Sequence, residues 1–235
     1  LARRAIPDFD LVAVTREADQ TALARLPELP IDRLVVASNG VTRSQFEALA
    51  PVADQRGIGG PGRLRVLYAG NVGLAQNLAT LLQAAQKLPG IDVDVVGVGS
   101  DFERIQALAA DVPNVHLHGR LSWSGLPAFY QRADVLYAQL TTDYARAIPS
   151  KLYEYLATGK PLVYGGEGQA QAFLQGFEHV VTVEPDNVDG LVTALNQMAK
   201  NGGRALPSEA ARRFVAQNCI REDAVRRVYE RFLQK

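Results

Sequence analysis

The residues best suited to chemistry lie between Arg146 and Gly168, in the segment RAIPSKLYEYLATGKPLVYGGEG. Lys151 and Glu154 stand three positions apart, so a helix would bring them to one side of its surface. An ammonium group suits a phosphate, and a carboxylate suits the vicinal hydroxyls of a ribose. The pair could therefore hold a diphosphate and the ribose beside it. As a solvated surface pair, the same two side chains would contribute only about 0.3–0.5 kcal/mol.

Ser150 directly precedes this predicted helix and belongs to the residue types that cap helix N-termini. Such a cap would leave the amides of Lys151, Leu152 and Tyr153 free to face an anion, because the first amides of a helix lack partners within it. The helix dipole favours an anion at the same place. The sequence thus predicts a diphosphate site that includes Ser150, Lys151 and Leu152.

Two loops that contain glycine could approach the same ligand. The segment LYAGNVGLAQNL places Gly70, Asn71 and Gly73 between a strand and a helix, where glycine lets the backbone come close to a phosphate. Gly97 and Gly99 occupy the same kind of joint in VVGVGSDFERI. A tight strand-to-helix turn that binds nothing is the alternative for both loops, since short glycine motifs recur by chance.

A repeated strand-helix pattern must position these residues. From Arg65 onward, six short runs rich in apolar and β-branched residues each precede a helical pattern: RVLYA, VDVVGV, VHLHG, VLYAQL, PLVY and VVTV. Such alternation predicts an α/β fold, a Rossmann-like doubly wound parallel sheet with helices on both faces. Ligands bind such sheets beyond the carboxyl ends of the strands.

The chain also shows a change of composition that indicates a domain boundary. The segment QRGIGGPGR has no periodicity, so we predict a linker at residues 55–62. Residues 1–54 contain a strand-helix-strand pattern of their own, and residues 63–200 hold the six repeated units. Residues 201–235 read as two helices with an apolar stripe.

Composition excludes several classes of partner. The 235 residues include 25 Lys and Arg against 25 Asp and Glu, so no overall charge favours nucleic acid, and we predict no nucleic-acid partner. Cys219 is the single cysteine, which excludes an internal disulfide and fits a reducing compartment. No segment approaches the ~18 consecutive apolar residues of a membrane span. The resulting prediction is a cytoplasmic protein.

From about Asp10 to its end, the chain resembles the nucleotide-binding half of the GT-B retaining glycosyltransferases that carry an E-x7-E signature. The segment LYAGNVGLAQNLATLLQAA is similar to their glycine loop and first helix, and PSKLYEYLATGKPLV to their signature helix. The pattern P-S-K-L-x-E-Y-L-A-x-G-K-P is similar to bacterial enzymes that build O-antigen, capsule and colanic-acid-type polysaccharides. The first 45 residues resemble the tail of the partner domain, which binds the acceptor, and most of that domain is absent.

The resemblance implies roles for individual residues. Glu154 corresponds to the glutamate that binds the nucleotide ribose. The diphosphate is implied to contact Gly70, Asn71, Gly73, Ser150, Lys151 and Leu152. The base is implied to contact Gly97, Gly99, Gly119, Arg120 and Leu121. Residues 201–235 are implied to pack back towards the partner domain.

Two positions depart from the family pattern. Arg146 stands where relatives have the first glutamate of the signature, which meets the donor sugar. Arg146 is therefore the candidate donor-sugar residue, and the identity of the sugar is open. Gln76 stands where many relatives have a basic residue. We expect Lys151 to supply the positive charge that Gln76 lacks.

The implied function is transfer of a sugar, with retention, from a nucleoside-diphosphate-sugar donor to a glycan or lipid-linked acceptor. The nucleotide-sugar is a co-substrate, and no other cofactor and no metal is required. Catalytic residues are expected mostly on the missing domain, so this chain alone is expected to be inactive. Peripheral association of the parent protein with the inner face of the membrane stays open. So do two alternatives: a nucleotide-sugar 2-epimerase on the same scaffold, and a non-catalytic module that binds nucleotides or proteins.

Packing is the role assigned to His116, His118, Trp123 and Tyr130. His116 and His118 share one face of a predicted strand, but two histidines without further ligands make no zinc site. Trp123 and Tyr130 have no basic residues interleaved with them, as a base-stacking platform would. We therefore predict no metal site.

Overall fold

The structure is a computed structural model that describes residues 9–27, 29–51, 63–200 and 207–234. The predicted linker at residues 55–62 lies outside these ranges. The chain divides into two compact units. One contains the residues up to Glu47 together with those from Arg213 onward, and the other is Ala48–Arg212. The bounds predicted for the domains stay a prediction.

The larger unit is built on a six-stranded parallel sheet. Its strands are β3 (Leu64–Ala69), β4 (Ile91–Val96), β5 (Val115–Leu117), β6 (Val135–Gln139), β7 (Leu162–Gly165) and β8 (Val180–Val183). They are arranged in the order β5-β4-β3-β6-β7-β8, and every neighbouring pair is parallel. The predicted α/β, Rossmann-like sheet is confirmed.

Helices connect these strands and complete the larger unit. They are α3 (Ala79–Lys87), α4 (Phe102–Ala109), α5 (Leu126–Arg132), α6 (Lys151–Thr158), α7 (Gln169–Leu174), α8 (Val188–Lys200) and the first residues of α9 (Glu209–Asn218). The core lies where strands β3, β4 and β6 meet α3 and α8, with Val66, Val93 and Val135 almost completely buried. Near-continuous apolar runs are typical of strands that are covered on both faces.

The order of the strands reverses between β3 and β6. Along the chain, β4 and β5 are added on one side of β3, and β6, β7 and β8 on the other. This arrangement is the one in which loops leave the carboxyl ends of the two central strands in opposite directions and open a crevice between them. The loops after Ala69 and Gln139 begin at that point.

Helix α6 carries the two residues from which the sequence argument started. Leu152, Tyr155 and Leu156 lie on the opposite side of the helix from Lys151 and Glu154 and are completely buried. The helix ends at Gly159, which has the left-handed conformation (φ +69°) typical of a helix C-cap. The guanidinium of Arg212 donates a hydrogen bond to the carbonyl of Ala157 and so occupies one of the free acceptors at this end.

The smaller unit contains a two-stranded parallel sheet. Its elements are β1 (Val12–Val14), α1 (Glu17–Leu23), β2 (Leu34–Val36), α2 (Arg43–Ala48) and α10 (Arg221–Leu233), together with the end of α9. Val215 and Ile220 are buried, as the predicted stripe requires, whereas Val225, Tyr229 and Phe232 on α10 are more than half exposed. Among the described residues, no helix is both long and apolar enough to cross a membrane.

Candidate functional site

A cleft of about 490 Å³ lies in the larger unit at the point where the strand order reverses. One wall is formed by Ala69, Gly70 and Asn71, which follow β3. The opposite wall is formed by the beginning of α6, and Trp123, Leu126 and Tyr130 from the α5 region complete it, with Gln76, Leu140 and Tyr144 among the other lining residues. The cleft is therefore assembled from segments that are far apart in sequence.

Tyr155 links α6 to the end of β3 through two hydrogen bonds. Its hydroxyl accepts a hydrogen bond from the amide of Ala69 at 2.9 Å and donates one to the carbonyl of the same residue at 3.3 Å. Tyr155 is completely buried, so this contact is shielded from water. It holds α6 beside the glycine loop that follows Ala69.

The side chain of Lys151, which lines the cleft, packs against the ring of Tyr68. Its Nζ donates a hydrogen bond to the Tyr68 hydroxyl and lies 3.8 Å from the centroid of the Tyr68 ring. The Tyr68 hydroxyl in turn donates a hydrogen bond to the carbonyl of Asn71. Burial lowers the pKa of Lys151 to about 7, although the carboxylate of Glu154 opposes part of this shift. Gly70 makes room for this arrangement, since a Cβ there would lie 2.6 Å from the Lys151 Nζ.

Glu154 lies one turn further along α6 and also lines the cleft. Its Oε2 accepts a hydrogen bond from the Tyr130 hydroxyl at 3.0 Å. Tyr130 is buried, and burial raises the pKa of its phenol well above the usual value, an effect that Tyr155 and Glu154 reinforce. Tyr130 is therefore a permanent donor that orients the carboxylate at neutral pH.

The prediction that the first amides of α6 are free for an anion is wrong for Leu152 and Tyr153. Ser150 occupies the N-cap position, but it has a helical conformation and its side chain makes no capping hydrogen bond. The amide of Leu152 donates to the carbonyl of Pro149, and the amide of Tyr153 donates to the carbonyl of Ser150. A tight turn of this kind uses amides that the sequence argument left free for an anion. The beginning of α6 therefore has fewer free amides than the sequence argument assumed.

Gly97 and Gly99 are required by the packing of one loop on another. A Cβ on Gly97 would lie 1.8 Å from the carbonyl oxygen of Gly70, and a Cβ on Gly99 would lie 2.3 Å from the carbonyl oxygen of Val72. Gly97 also has φ +139°, a conformation that residues with a side chain rarely adopt. These two glycines thus support the loop of Gly70 from behind.

A network of polar side chains fixes the turn that follows the glycine loop. The buried amide of Gln139 donates to the carboxylate of Asp186 at 2.8 Å and to the carbonyls of Gln76 and Asn77 at 3.3 and 3.2 Å. The Asn77 side chain donates to the same carboxylate at 2.8 Å. Gln76, which lines the cleft, is therefore held by strand β6.

His118 belongs to a separate buried charge cluster. Asp94, which is 1% exposed, lies 2.9 Å from Arg65, 3.1 Å from Arg132 and 2.5 Å from the ring of His118. Burial alone would raise the pKa of Asp94, but the hydrogen bonds from His118 and Arg65 and the nearby guanidinium charges lower it overall. Among the described residues, no group of His, Cys, Asp and Glu side chains is arranged to hold a metal ion.

A second cleft of about 590 Å³ lies in the smaller unit, along β2 and between α1 and α10. None of the residues that the sequence singled out for chemistry lines it. The cleft at the strand reversal is smaller, but it combines a lysine, a carboxylate and a close backbone approach, and a parallel sheet binds its ligands in that position.

The family model described as Glycosyl transferases group 1 matches residues 63–201, which is more than half of the chain. This chain belongs to the group 1 glycosyl transferases. The matched range contains the whole of the parallel sheet and the cleft at its centre.

This group 1 glycosyl transferase matches each of the following relatives over only part of the relative's length. Over 140 residues, the chain is 29% identical to WcaI of Escherichia coli (strain K12), named as a colanic acid biosynthesis glycosyl transferase, covering 56% of this chain and 34% of that protein. The structure is similar to Anabaena HepE (Alr3699) in complex with UDP and glucose, with a TM-score of 0.74 and 16% identity, covering 100% of this chain and 66% of that chain. For sucrose-phosphate synthase from Thermosynechococcus elongatus, the TM-score is 0.77 at 19% identity, over 99% of this chain and 60% of that chain.

These matches share one fold, and each relative is longer than the part that this chain covers. The two solved structures have the α/β fold predicted here. The chain spans about a third of the length of WcaI and less than two thirds of the two solved structures. None of these relatives favours the 2-epimerase or the non-catalytic module.

The glycosyl transferase cleft brings together five of the residues predicted for binding: Gly70, Asn71, Ser150, Lys151 and Glu154. The other predicted residues do not line it: Gly73, Gly97, Gly99, Gly119, Arg120, Leu121, Arg146 and Leu152. Arg120 and Arg146 are exposed, and Leu152 is completely buried. Their assignment to the base, the sugar and the diphosphate stays a prediction.

Sequence reasoning missed the tyrosines that hold the wall of the cleft in place. Tyr68 and Tyr155 approach Lys151 and Ala69 from positions more than 80 residues away in sequence. Both are completely buried, and alternation along a strand or helix predicts only that they face the core. Tyr130, which was assigned to packing, packs and also donates a hydrogen bond to Glu154.

Proposed function

We propose that this chain carries the donor-nucleotide site of a retaining glycosyltransferase. The enzyme transfers a sugar from a nucleoside-diphosphate-sugar to a glycan or lipid-linked acceptor. One observation carries the proposal: a lysine, a carboxylate and a glycine loop meet in one cleft at the reversal of the strand order. Membership in the group 1 glycosyl transferases supports the reaction class.

Each group in the cleft has a separate part in binding the donor. The loop at Gly70 and Asn71 lets the diphosphate lie against the backbone, and Lys151 lies beside it. The carboxylate of Glu154, oriented by Tyr130, accepts hydrogen bonds from the ribose hydroxyls. The departing nucleoside diphosphate gains negative charge as its bond to the sugar breaks, and a cation fixed beside it lowers the barrier. We propose that Lys151 serves this purpose without a metal ion.

The relatives support the choice of donor and acceptor classes. HepE has been crystallised with UDP and with UDP-glucose, which makes UDP the first nucleotide to test. WcaI is named for colanic acid biosynthesis, in keeping with a polysaccharide acceptor. We propose a cytoplasmic site of action, at the inner face of the membrane where the acceptor is lipid-linked.

Thermal unfolding in the presence of UDP, ADP and GDP tests the proposal. A nucleotide present at 100 times its dissociation constant is expected to stabilise the chain by about 2.7 kcal/mol. The variant Lys151→Ala is expected to lose most of this stabilisation, whereas Glu103→Gln, on the exposed face of α4, should retain it. Failure of every nucleotide to stabilise the chain would contradict the proposal and favour a non-catalytic module.

A further inference from the structure

Trp123, which the sequence alone assigned to packing, lines the cleft just before the beginning of α5. Its side chain is partly buried. Within the described part of the chain, the Trp123 ring meets no aromatic ring and no cation, and its indole N–H donates no hydrogen bond. By contrast, Phe129 on α5 packs against the ring of His118 and the guanidinium of Arg132. Trp123 therefore gives the cleft wall an aromatic surface that has no aromatic partner among the described residues.

The backbone holds Trp123 in line with α5. Trp123–Gly125 is a single turn of 3-10 helix, and Leu126 follows it as the first residue of α5. The amide of Gly125 donates to the carbonyl of Ser122 at 3.0 Å, and the amide of Leu126 donates to the carbonyl of Trp123. Positions three and seven residues further along a helix share one face, so Trp123, Leu126 and Tyr130 form one row along the cleft.

This row ends beside the carboxylate that is assigned to the ribose. Tyr130 donates a hydrogen bond to Glu154 at 3.0 Å, and Lys151, assigned to the diphosphate, lies one turn of α6 before Glu154. A nucleoside diphosphate carries its phosphates, its ribose and its base in that order. With the ribose at Glu154, the base lies along the row from Tyr130 towards Trp123. Seven residues of helix span about 10 Å, comparable with a ribose and a base in line.

The other end of the cleft faces the opposite part of the donor. Tyr144, Ala147 and Pro149 line that end, and Pro149 is separated from Lys151 by Ser150 alone. Under the proposed function, a donor with its diphosphate at Lys151 has its sugar on this side. Its base then lies on the side of Trp123.

We propose that the indole ring of Trp123 stacks on the face of the donor nucleobase. This inference rests on the proposed function. It adds a residue to the base site, since none of the residues that the family resemblance implies for the base lines the cleft. Every base has a flat π-face, so a stack of this kind contributes affinity without selecting one base.

The first experiment uses the fluorescence of Trp123, which is the single tryptophan of the chain. Titration with UDP is expected to quench this emission, whereas ribose 5-phosphate, which lacks a base, is expected to leave it unchanged. The same titration of N-acetyltryptophanamide corrects for light absorbed by the nucleotide. Unchanged emission from the protein, while calorimetry detects bound UDP, would overturn the proposal.

The second experiment separates stacking from a structural role. Trp123→Ala should lower the affinity for UDP about 5- to 150-fold, the usual effect of losing a base–aromatic stack, and Trp123→Phe should restore most of it because a ring is kept. The affinity for ribose 5-phosphate, measured by NMR titration, should be the same in all three proteins. Tyr229→Ala removes an exposed aromatic side chain from α10 and is the matched control, with unchanged affinity for UDP.

Two results of this second experiment would overturn the proposal. Equal losses of affinity for UDP and for ribose 5-phosphate in Trp123→Ala would mean that the substitution disturbs the whole cleft. A loss of UDP affinity in Trp123→Phe as large as that in Trp123→Ala would mean that the contact does not need an aromatic ring.

The outcomes also distinguish this inference from the proposed function. If UDP, ADP and GDP all fail to bind, the donor site and the stack are both contradicted. If UDP binds equally well to the natural chain and to Trp123→Ala, the donor site stands and the inference alone is wrong. Weaker binding of UDP-glucose by Trp123→Ala, with unchanged binding of UDP, would assign Trp123 to the sugar and likewise overturn the stack.

Discussion

At the scale of single residues, Glu154 combines exposure to the cleft with a fixed orientation. It accepts a hydrogen bond from Tyr130, and it lies one helical turn from Lys151. A carboxylate held in this way can accept hydrogen bonds from two hydroxyls of a ribose without first losing much conformational freedom. This property distinguishes it from a solvated surface pair, the alternative that the sequence alone left open.

The variant Glu154→Gln tests the assignment to ribose. Because charge-assisted hydrogen bonds are lost, we expect the affinity for UDP to fall by about 1.5–3 kcal/mol and that for free uracil to change little. Isothermal calorimetry measures both. Unchanged affinity for UDP would remove Glu154 from the site, and Glu103→Gln serves as the matched control on an exposed helix face.

Arg146 occupies an exposed position outside the wall of the cleft. If it meets the donor sugar, Arg146→Ala should leave the affinity for UDP unchanged and weaken binding of an intact UDP-sugar by about 2- to 5-fold, the range of an exposed charged contact. The effect should be largest for a sugar that carries an acid group. Competition binding against a panel of UDP-sugars measures this difference, and equal losses with UDP and UDP-sugar would contradict the assignment.

At the scale of elements, the loops after β3 and β4 depend on each other. Gly97→Ala would force a Cβ against the carbonyl of Gly70 at a φ that alanine rarely adopts. We expect a loss of about 2–5 kcal/mol in the free energy of unfolding, from strain and overpacking together. Urea denaturation measures it. Gly176→Ala, where a Cβ would meet nothing within 4 Å, should change stability by less than about 0.5 kcal/mol.

The charge cluster around Asp94 joins β3, β4, α5 and the residue after β5. Asp94→Asn would leave the guanidinium groups of Arg65 and Arg132 without their buried partner. We expect a loss of roughly 3–5 kcal/mol in unfolding free energy, the usual effect of breaking a buried ion pair from one side. Asp92→Asn, on the same strand but closer to solvent, should cost less than about 1 kcal/mol. Equal losses would contradict this account.

The strands of the sheet were the part of the fold most open to prediction. Runs such as RVLYA and VLYAQL are apolar because both faces of β3 and β6 are covered, and this constraint is visible in the sequence. The turn at Pro149 and Ser150 was not predictable in the same way, because a serine before a helix does not reveal whether the first amides bond to the preceding carbonyls. The contact between Lys151 and Tyr68 joins residues that are 83 positions apart, so no local sequence pattern predicts it.

At the scale of the whole molecule, His179 links stability to pH. Burial lowers the pKa of its ring, and neither ring nitrogen has a hydrogen-bond partner among the described residues. The unfolded chain therefore binds a proton more readily near pH 6 than the folded chain does. Stability is fully present above the unfolded pKa of about 6.5 and falls as the pH drops below it.

The variant His179→Leu should remove this dependence. We expect the free energy of unfolding to vary less between pH 7 and pH 5 than in the natural chain, with no loss of stability at pH 7, because two unsatisfied polar atoms are removed. Thermal or urea unfolding at a series of pH values measures the difference. His116→Leu, at an exposed position, is the matched substitution that shows the effect of introducing a leucine on its own. A parallel pH profile in His179→Leu and the natural chain would refute the assignment.

The reversal of strand order has a kinetic consequence. One half of the sheet supplies the glycine loop, and the other half supplies α6 with Lys151 and Glu154. A molecule bound in the cleft therefore joins two segments that could otherwise open separately, and opening of either segment would release it. In a hydrogen-exchange experiment, amides of β4 and of β7, on opposite sides of the reversal, should slow together when the cleft is filled.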